Sequence, residues 1–565
     1  MNKPKYKNRF EPIHKDVKEW PLYKLSLKRF EFLQNVKKQS IERIIDTTGD
    51  GETLLDELTR VVYLERIRLT QNSWKVDTED EKIFWSNMRK KVLNLKIDLE
   101  KKTLSKAEVR EELASIVGRY TSEIAGHFDP NIYGFAKKLV PFGFSRLLNT
   151  NVGLKIKKKW NKRFSIDNKI NLTGDIELIR SLAKKGTIIM VPTHFSNLDS
   201  IIIGWGIHAL GLPPFTYGAG LNLFGIRLIA YFMHRLGAYK VDRRKKNLIY
   251  LETLKTYSNL VIQEGCHSLF FPGGTRSRSG VIEKELKKGL IGTAIDAQFK
   301  NIQKSESTNE DYTKIFLVPV VINYHFVLEA KSLIDQHLKS TGQEYYLVEN
   351  DEYSTSYRMF KFVMKFLSAS SEATLSFGKP MDLFGNKVNS AGESIDKQGK
   401  KVDIKDYFML DNNLNHNQQR NEEYTRLLSQ KIVKSYHKYN TLFSSHLIAF
   451  AAFGILKKRY RRLDVYGLLR LPEEDRIIEW EEFMYVINKL LTRLETMKAK
   501  KKILLDKVFK KNAEEIVNHG LKNLGIYHDK RPLYKTKEGN LNSEDINLLF
   551  YYHNRTIGYK LEKYI

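Results

Sequence analysis

Short apolar runs rich in β-branched residues alternate with helical segments through the middle of the chain, and this alternation limits the possible folds more than any other feature. Each run is long enough for a buried strand and too short for a typical helix. The predicted strands are Gly186–Val191, Pro214–Tyr217, Ala238–Val241, Ser268–Phe271, Ile315–Asn323 and Ala373–Phe377. The predicted helices between them are Ile201–Leu210, Phe224–Leu236, Asn247–Gln263 and Leu290–Phe299. This pattern predicts an α/β fold in which helices flank a central mixed or mostly parallel sheet.

The regions around this alternation differ in composition. Residues 1–150 are predicted to be mainly helical, because apolar residues recur there at helical spacing. Residues 151–385 form the predicted α/β domain, and residues 386–422, rich in Asn, Lys, Asp and Gly, form a predicted polar loop. Residues 423–565 are predicted to be helical again. We therefore expect one α/β domain between two helical regions.

The chain is strongly basic, with 95 Lys and Arg against 66 Asp and Glu in 565 residues, which gives a formal charge of +29. Such a charge attracts phosphorylated substrates, acidic proteins, anionic lipids or nucleic acid. No helix-turn-helix, zinc-finger or RNA-binding signature is recognisable, so nucleic acid is not the expected partner. The single cysteine, Cys266, excludes a disulfide framework and a cysteine-based zinc cluster, and its apolar neighbours favour a core position.

Apolar segments that could reach a membrane are short or interrupted. The N-terminus lacks the apolar core of a secretory signal, and no transmembrane helix is predicted. The run Leu447–Leu456, followed by the basic run Lys457–Arg462, could anchor in a membrane interface, but its length favours a buried helix. The segment Lys155–Phe164 mixes cations with apolar and aromatic residues, which suits an anionic membrane surface and equally a solvated helix face.

His194 follows the first predicted strand, and Asp199 stands five residues later, where the next helix is predicted to begin. Ligands of open α/β sheets bind at the carboxyl ends of strands, so chemistry is expected at this point. A turning loop can bring the carboxylate against the imidazole and fix its tautomer, and such a pair can deprotonate a hydroxyl. A hydrogen-bonded loop histidine beside a helix-capping aspartate would have the same spacing.

Two further strand ends carry cations. The segment Gly237–Arg244 ends in two arginines, and the glycine-rich loop Phe271–Gly280 holds two more among hydroxyl side chains. Flexible glycine backbone with Arg, Ser and Thr donors can surround a phosphate, so a phosphorylated substrate suits this loop. Each arginine by itself could equally form a surface ion pair.

Taken together, these segments resemble the motifs of the glycerolipid acyltransferases. His194–Asp199 resembles their H-x4-D motif, and the second, third and fourth motifs are resembled, in the same order, by Gly237–Arg243, Phe271–Ser277 and Leu317–Tyr324. Later segments resemble the large glycerol-3-phosphate acyltransferases, which include dihydroxyacetone-phosphate enzymes. These segments are Tyr324–Glu329, Ser376–Pro380 and Asn547–Asn554.

The resemblance implies a role for each matched residue. His194 would act as general base on the sn-1 hydroxyl of glycerol 3-phosphate, with Asp199 orienting it. Pro319 would shape the acyl-donor side of the cleft. No metal or cofactor is implied, because the hydroxyl attacks an acyl thioester, of acyl carrier protein or coenzyme A, directly. The residues implied to hold the substrate phosphate are Arg243, Gly274, Thr275, Arg276 and Ser277.

One position departs from the family pattern. Gly273 stands where the family commonly has glutamate, which puts in doubt any contact that this carboxylate makes to the glycerol hydroxyls or the arginines. A water or a nearby carboxylate such as Asp242 is expected to compensate.

The resemblance therefore implies a glycerol-3-phosphate 1-O-acyltransferase that makes lysophosphatidate, the first step of phospholipid synthesis. It would work peripherally on the cytoplasmic face of a membrane, the inner membrane in a bacterium. Dihydroxyacetone phosphate and lysophosphatidate remain alternative acceptors. A non-catalytic basic scaffold that binds lipid or nucleic acid is the alternative of another class.

Overall fold

The computed structural model describes residues 10–74, 76–136, 170–221, 227–341 and 373–565. The basic segment Lys155–Phe164 and the first residues of the predicted helix Phe224–Leu236 lie outside these ranges. The N-terminal helices are α1 Pro21–Leu27, α2 Arg29–Thr48, α3 Glu52–Gln71, α4 Glu79–Glu100 and α5 Lys106–Ile124.

Seven strands form the central sheet, which confirms the predicted α/β fold. They are β1 Ile170–Thr173, β2 Gly186–Pro192, β3 Thr216–Gly220, β4 Ala238–Val241, β5 Ser268–Leu269, β6 Lys314–Tyr324 and β7 Ala373–Phe377. Their order across the sheet is β1-β7-β6-β2-β5-β3-β4. The five strands from β6 to β4 in this order are parallel, whereas β7 runs antiparallel to β6 and pairs in parallel with β1. The carboxyl ends of the five parallel strands therefore meet at one edge of the sheet.

The two longest strands, β2 and β6, are almost completely buried. From its second residue onward β2 is buried, and so is β6, as expected for parallel strands covered on both faces by helices. The flanking helices are α6 Ile176–Ala183, α7 Asp199–Ala209, α8 Arg227–Arg235, α9 Leu248–Gln263, α10 Gly289–Thr308 and α11 Ala330–Thr341.

The N-terminal helices share a second hydrophobic core with the α/β domain. Buried side chains of α2, α3 and α5 pack together with those of α9, and Cys266 is part of the same cluster. Because α9 follows β4 in the chain, this packing places the N-terminal helices beside the loop that carries Arg243.

The C-terminal region is helical, with α12 Gln418–Tyr439, α13 Ser444–Arg459, α14 Val465–Leu469, α15 Trp480–Ala499, α16 Ala513–Asn523 and α17 Ile546–Asn554. Helix α13 contains the run Leu447–Leu456, and every residue of that run is buried among the C-terminal helices. The interfacial anchor was the wrong alternative for this run, since its apolar side chains are covered by protein. In the described part of the chain, no helix combines the length and apolarity needed to cross a membrane.

The segment predicted as a polar loop, residues 386–422, differs from the prediction. It folds into short paired strands, among them Lys387–Val388 with Ser394–Ile395, and α12 already begins at Gln418. Side chains support its turns, since the Oδ1 of Asn389 accepts hydrogen bonds from the backbone N–H groups of Ala391 and Glu393. The polar composition correctly predicted the turns of this segment, but it did not predict the short paired strands between them.

Candidate active site

The His194 imidazole and the Asp199 carboxylate are hydrogen-bonded at the end of β2. Nδ1 of His194 lies 2.8 Å from Oδ2 of Asp199, and Asp199 is fully buried whereas the His194 side chain remains 13% exposed. Asp199 is the first residue of α7, and its Oδ2 also accepts the backbone N–H groups of Phe195 (2.6 Å) and Ser196 (2.9 Å). The carboxylate thus orients the ring so that Nε2 is left for a substrate.

Tyr324, the last residue of β6, supports Asp199 from the other side. Its hydroxyl donates a hydrogen bond to Oδ1 of Asp199. Burial and the neighbouring charge of Asp199 raise the pKa of Tyr324 well above its usual range, so this hydroxyl keeps its proton. Both oxygens of Asp199 are therefore held in place, and the imidazole is fixed through them.

A second buried carboxylate, Glu329, holds the rest of the loop. It accepts the backbone N–H of Asn197 at 2.9 Å and the hydroxyl of Ser196 at 3.0 Å. The guanidinium of Arg276 lies 3.4 Å from Glu329, which ties the loop after β5 to the loop after β2. Burial raises the pKa of Glu329, and the charge of Arg276 opposes this increase.

Arg243 and Arg276 bring two guanidinium groups to the same site. Both line the same cavity, and burial together with the nearby charge of Arg276 lowers the pKa of Arg243. Arg243 forms no ion pair within the described ranges, and Arg276 pairs with Glu329. Two guanidinium groups that line the same cavity can attract an anionic ligand.

The N-terminal helices fix the loop that carries Arg243. Its neighbour Arg244 donates to Asp77 at 2.7 and 2.8 Å and to Asp242 at 2.8 Å, and its guanidinium stacks over Trp74. The Asp242 carboxylate is therefore engaged by Arg244. Sequence reasoning missed this support because Asp77 and Arg244 are separated by 167 residues.

The other residues implied to hold phosphate do not all reach the cavity. Thr275 lines it, whereas Gly274 forms a turn with a positive φ of 78° and does not. The Ser277 hydroxyl donates to the carbonyl of Val281, and its N–H donates to the carbonyl of His194. Pro319 is buried within β6 opposite Val191 and is also outside the lining. Gly274, Ser277 and Pro319 therefore lie next to the site without lining the cavity.

A cavity of about 660 Å³ extends from the His194 ring. His194 lines one end together with basic and polar groups, which include Arg243, Lys246, Thr275, Arg276 and Arg278. The remaining wall, from α7, β3, β4 and α8, is largely apolar and includes Ile201, Trp205, Phe215, Leu221 and Met233. Among the described residues, no three His, Cys, Asp or Glu side chains are grouped as a metal site. The cavity thus joins an imidazole, several cationic side chains and an apolar space.

Comparisons with known proteins show what the sequence around this site resembles. Residues 173–323 match the family model described as Acyltransferase. Glycerol-3-phosphate acyltransferase of Shewanella frigidimarina is 23% identical over 393 residues, which are 69% of this chain and 43% of that protein. The protein of the same name from Pseudoalteromonas translucida is 25% identical over 362 residues, 63% of this chain and 39% of that protein.

A solved structure, the 1-acyl-sn-glycerophosphate acyltransferase of Thermotoga maritima, is 12% identical with a TM-score of 0.24, covering 54% of this chain and 92% of that one. The chain spans about two fifths of the length of the relatives named above, 43% and 39%. The matched domain contains β2, the His194–Asp199 pair, both arginines and β6. The match over residues 173–323 identifies an acyltransferase domain, and the relatives that the chain matches are named glycerol-3-phosphate acyltransferases.

Proposed function

We propose that this chain transfers a long-chain acyl group from a thioester to the sn-1 hydroxyl of glycerol 3-phosphate, forming lysophosphatidate. The observation that carries the proposal is the shared cavity, in which an oriented imidazole lies with Arg243 and Arg276. A small phosphoester bound to the two guanidinium groups can present its alcohol to the base. The names of the relatives favour glycerol 3-phosphate as this phosphoester.

His194 acts as the general base. Nε2 takes the proton of the hydroxyl as its oxygen attacks the thioester carbonyl, and the charge of Asp199 stabilises the resulting imidazolium. When the tetrahedral intermediate collapses, the C–S bond breaks and the imidazolium returns the proton to the leaving thiolate. The ester forms in one transfer, without an acyl-enzyme.

The two ends of the cavity suit the two substrates. Arg243, Arg276 and the Thr275 hydroxyl hold the phosphate, while the apolar wall accommodates the acyl chain. Gly204 lies on this wall, and a Cβ atom added there would meet no atom within 4 Å. Either acyl carrier protein or coenzyme A can deliver the chain, since both are anionic and the protein carries a charge of +29.

Exposed aromatic residues beside the cavity support a peripheral position on the cytoplasmic face of a membrane. Phe135 is 52% exposed and stacks on Phe232, and the adjacent Tyr231 is 44% exposed. Tyr133, Ala136 and Met233 of the same segments line the cavity. Amphipathic rings with nearby basic residues suit a lipid interface, into which a lipid product can leave.

The test is a turnover assay with purified protein and matched thioesters of acyl carrier protein and coenzyme A. Glycerol 3-phosphate, dihydroxyacetone phosphate and lysophosphatidate are offered in parallel, and products are identified by mass spectrometry. We expect glycerol 3-phosphate to give the highest kcat/KM, and a clear preference for either other acceptor would contradict the proposal.

Two variants test the assigned roles in that assay. His194→Ala should lower kcat by about 10²-fold to 10⁴-fold, the usual contribution of a general base, while binding to anionic vesicles is retained. Arg276→Ala should raise KM for the phosphate acceptor by about tenfold to 100-fold, because a charge-assisted contact is lost. If the protein is a non-catalytic scaffold, His194→Ala should leave its function unchanged.

A further inference from the structure

The space beside Gly273 is filled by the side chain of Glu283. A Cβ added at Gly273 would lie 2.9 Å from Oε1 and 3.1 Å from Cγ of Glu283, so the Glu283 side chain would have to shift to admit it. The φ of Gly273 is not positive, so the backbone itself does not require glycine there. The absence of a side chain at Gly273 is therefore explained by the carboxylate that occupies its place.

That carboxylate holds the backbone of the catalytic histidine. Oε1 of Glu283 accepts the backbone N–H of His194 at 3.2 Å, and the backbone N–H of Ser277 donates to the carbonyl of His194 at 2.8 Å. The loop between β5 and α10 thus binds both polar groups of the His194 main chain. Asp199 and Glu283 fix the same residue, one through the ring and the other through the main chain.

The environment of Glu283 is energetically costly, which argues against an incidental contact. The residue is half-buried, but its Oε2 is shielded from solvent and has no hydrogen-bond partner among the described residues. Burial raises the pKa of Glu283 to about 7, while the His194 N–H and the charge of Arg555 oppose the increase. A shielded oxygen without a partner costs stability, and such costs concentrate at functional sites.

We propose that Glu283 is a positioning residue for His194 and supplies, from ten residues later in the chain, the carboxylate that stands at position 273 in the acyltransferases this chain resembles. This inference deepens the proposed function and rests on it for the meaning of turnover. Asp242, the other candidate to compensate for Gly273, is bound to Arg244 and does not serve here.

The experiment moves the carboxylate between the two positions. The variants are Glu283→Ala, Gly273→Ala, their combination, the transplant Gly273→Glu with Glu283→Ala, and Glu283→Gln. Glu285→Ala is the matched control, because Glu285 is an exposed acid of the same loop. Turnover is measured alongside hydrogen exchange of the peptide that contains His194, and thermal melts verify folding.

We expect Glu283→Ala to lower kcat by about tenfold to 100-fold with KM for the acceptor little changed, because the base is displaced while the phosphate site remains. The His194 amide should exchange faster, having lost its acceptor. Gly273→Ala should harm the wild type and have little further effect in the Glu283→Ala background. The transplant should restore most of kcat and of the protection.

Glu283→Gln retains an oxygen acceptor, so it should keep most of kcat and the slow hydrogen exchange of the His194 amide. This variant also tests the proposal if Glu283→Ala does not fold. The proposal is overturned if the transplant is no better than Glu283→Ala, if Gly273→Ala is equally harmful in both backgrounds, or if Glu283→Gln loses as much as Glu283→Ala. Inactivity of the wild type on every acceptor would refute the proposed function, and hydrogen exchange would still decide the role of Glu283.

Discussion

Replacement of Asp77 by asparagine tests whether the N-terminal helices build part of the active site. Asp77 accepts hydrogen bonds from Arg68 (2.8 Å), Arg244 (2.7 and 2.8 Å) and the backbone N–H of Trp74 (2.6 Å), and its side chain is 2% exposed. Burial by itself would raise the pKa of Asp77, but the hydrogen bonds and the two guanidinium charges lower it to about 2.

The size of the effect follows from this pKa. The difference between 3.8 and about 2 corresponds to about 2.5 kcal/mol of unfolding free energy, at about 1.4 kcal/mol per unit. Asp77→Asn should lose about this amount at pH 7. The loss should not be much larger, because Arg68 retains Glu65 and Glu81, and Arg244 retains Asp242, so neither cation is left alone.

The pH dependence gives an independent check. The folded-state pKa of Asp77 lies below its ordinary value of 3.8, so the stabilisation is complete above about pH 4 and is lost as the pH falls toward about 2. The difference in stability between wild type and Asp77→Asn should therefore be constant from neutral pH to about pH 5 and shrink below about pH 4.

Urea unfolding followed by tryptophan fluorescence measures this difference, since Trp74 stacks on Arg244. Asp80→Asn is the matched control: Asp80 pairs with Arg119 at 2.6 Å, but its side chain is 76% exposed, and we expect a change within about 0.5 kcal/mol. Equal losses in the two variants would refute the reasoning. In turnover, Asp77→Asn should raise KM for the phosphate acceptor more than it lowers kcat, because the loop that carries Arg243 is loosened.

Three further predictions concern single side chains. Tyr324→Phe removes the hydroxyl that holds Asp199 and should lower kcat by about tenfold, and an unchanged kcat would contradict its role. Gly204→Leu should shift selectivity toward shorter acyl thioesters, each displaced methylene costing about 0.8 kcal/mol or about fourfold in kcat/KM, and an unaltered chain-length profile would argue against the apolar wall. Burial raises the pKa of Cys266 far above its usual range, so its reaction with a disulfide reagent should be more than about tenfold slower in the native protein than in urea; equal rates would place the thiol outside the core.

The fold was predictable where a strand contains a clear run of apolar or β-branched residues. The sequence places β4 and β7 at their observed bounds and β2 and β6 within a residue of theirs. It misses β1, because the four residues from Ile170 to Thr173 are polar at alternate positions and only the first is fully buried. An edge strand that takes its stability from its neighbour leaves little signal of its own.

The site was predictable where its geometry is local. His194 and Asp199 are five residues apart, so a strand end and a helix start suffice to bring them together. Their supports are distant in sequence: Tyr324 is 125 residues from Asp199, and Glu283 is 89 residues from His194. The glycine at position 273 was the one sequence signal for Glu283, because an unusual residue inside a recognisable motif indicates a changed neighbour.

The C-terminal region supplies a buried cation close to the carboxylates that hold the His194 loop. Asp199, Glu283 and Glu329 all accept backbone N–H groups of residues 194–197, and in the proposed function the cations of the cavity bind the substrate. The buried guanidinium of Arg555, just after α17, lies 3.4 Å above the Phe195 ring and donates to Asn323 at 3.0 Å. Burial lowers its pKa, while Tyr551 and the carboxylates Asp199 and Glu283 oppose the decrease. A cation at Arg555 can balance these carboxylates without occupying the proposed phosphate site, so the C-terminal region contributes to the electrostatics of a site whose proposed reacting groups follow β2.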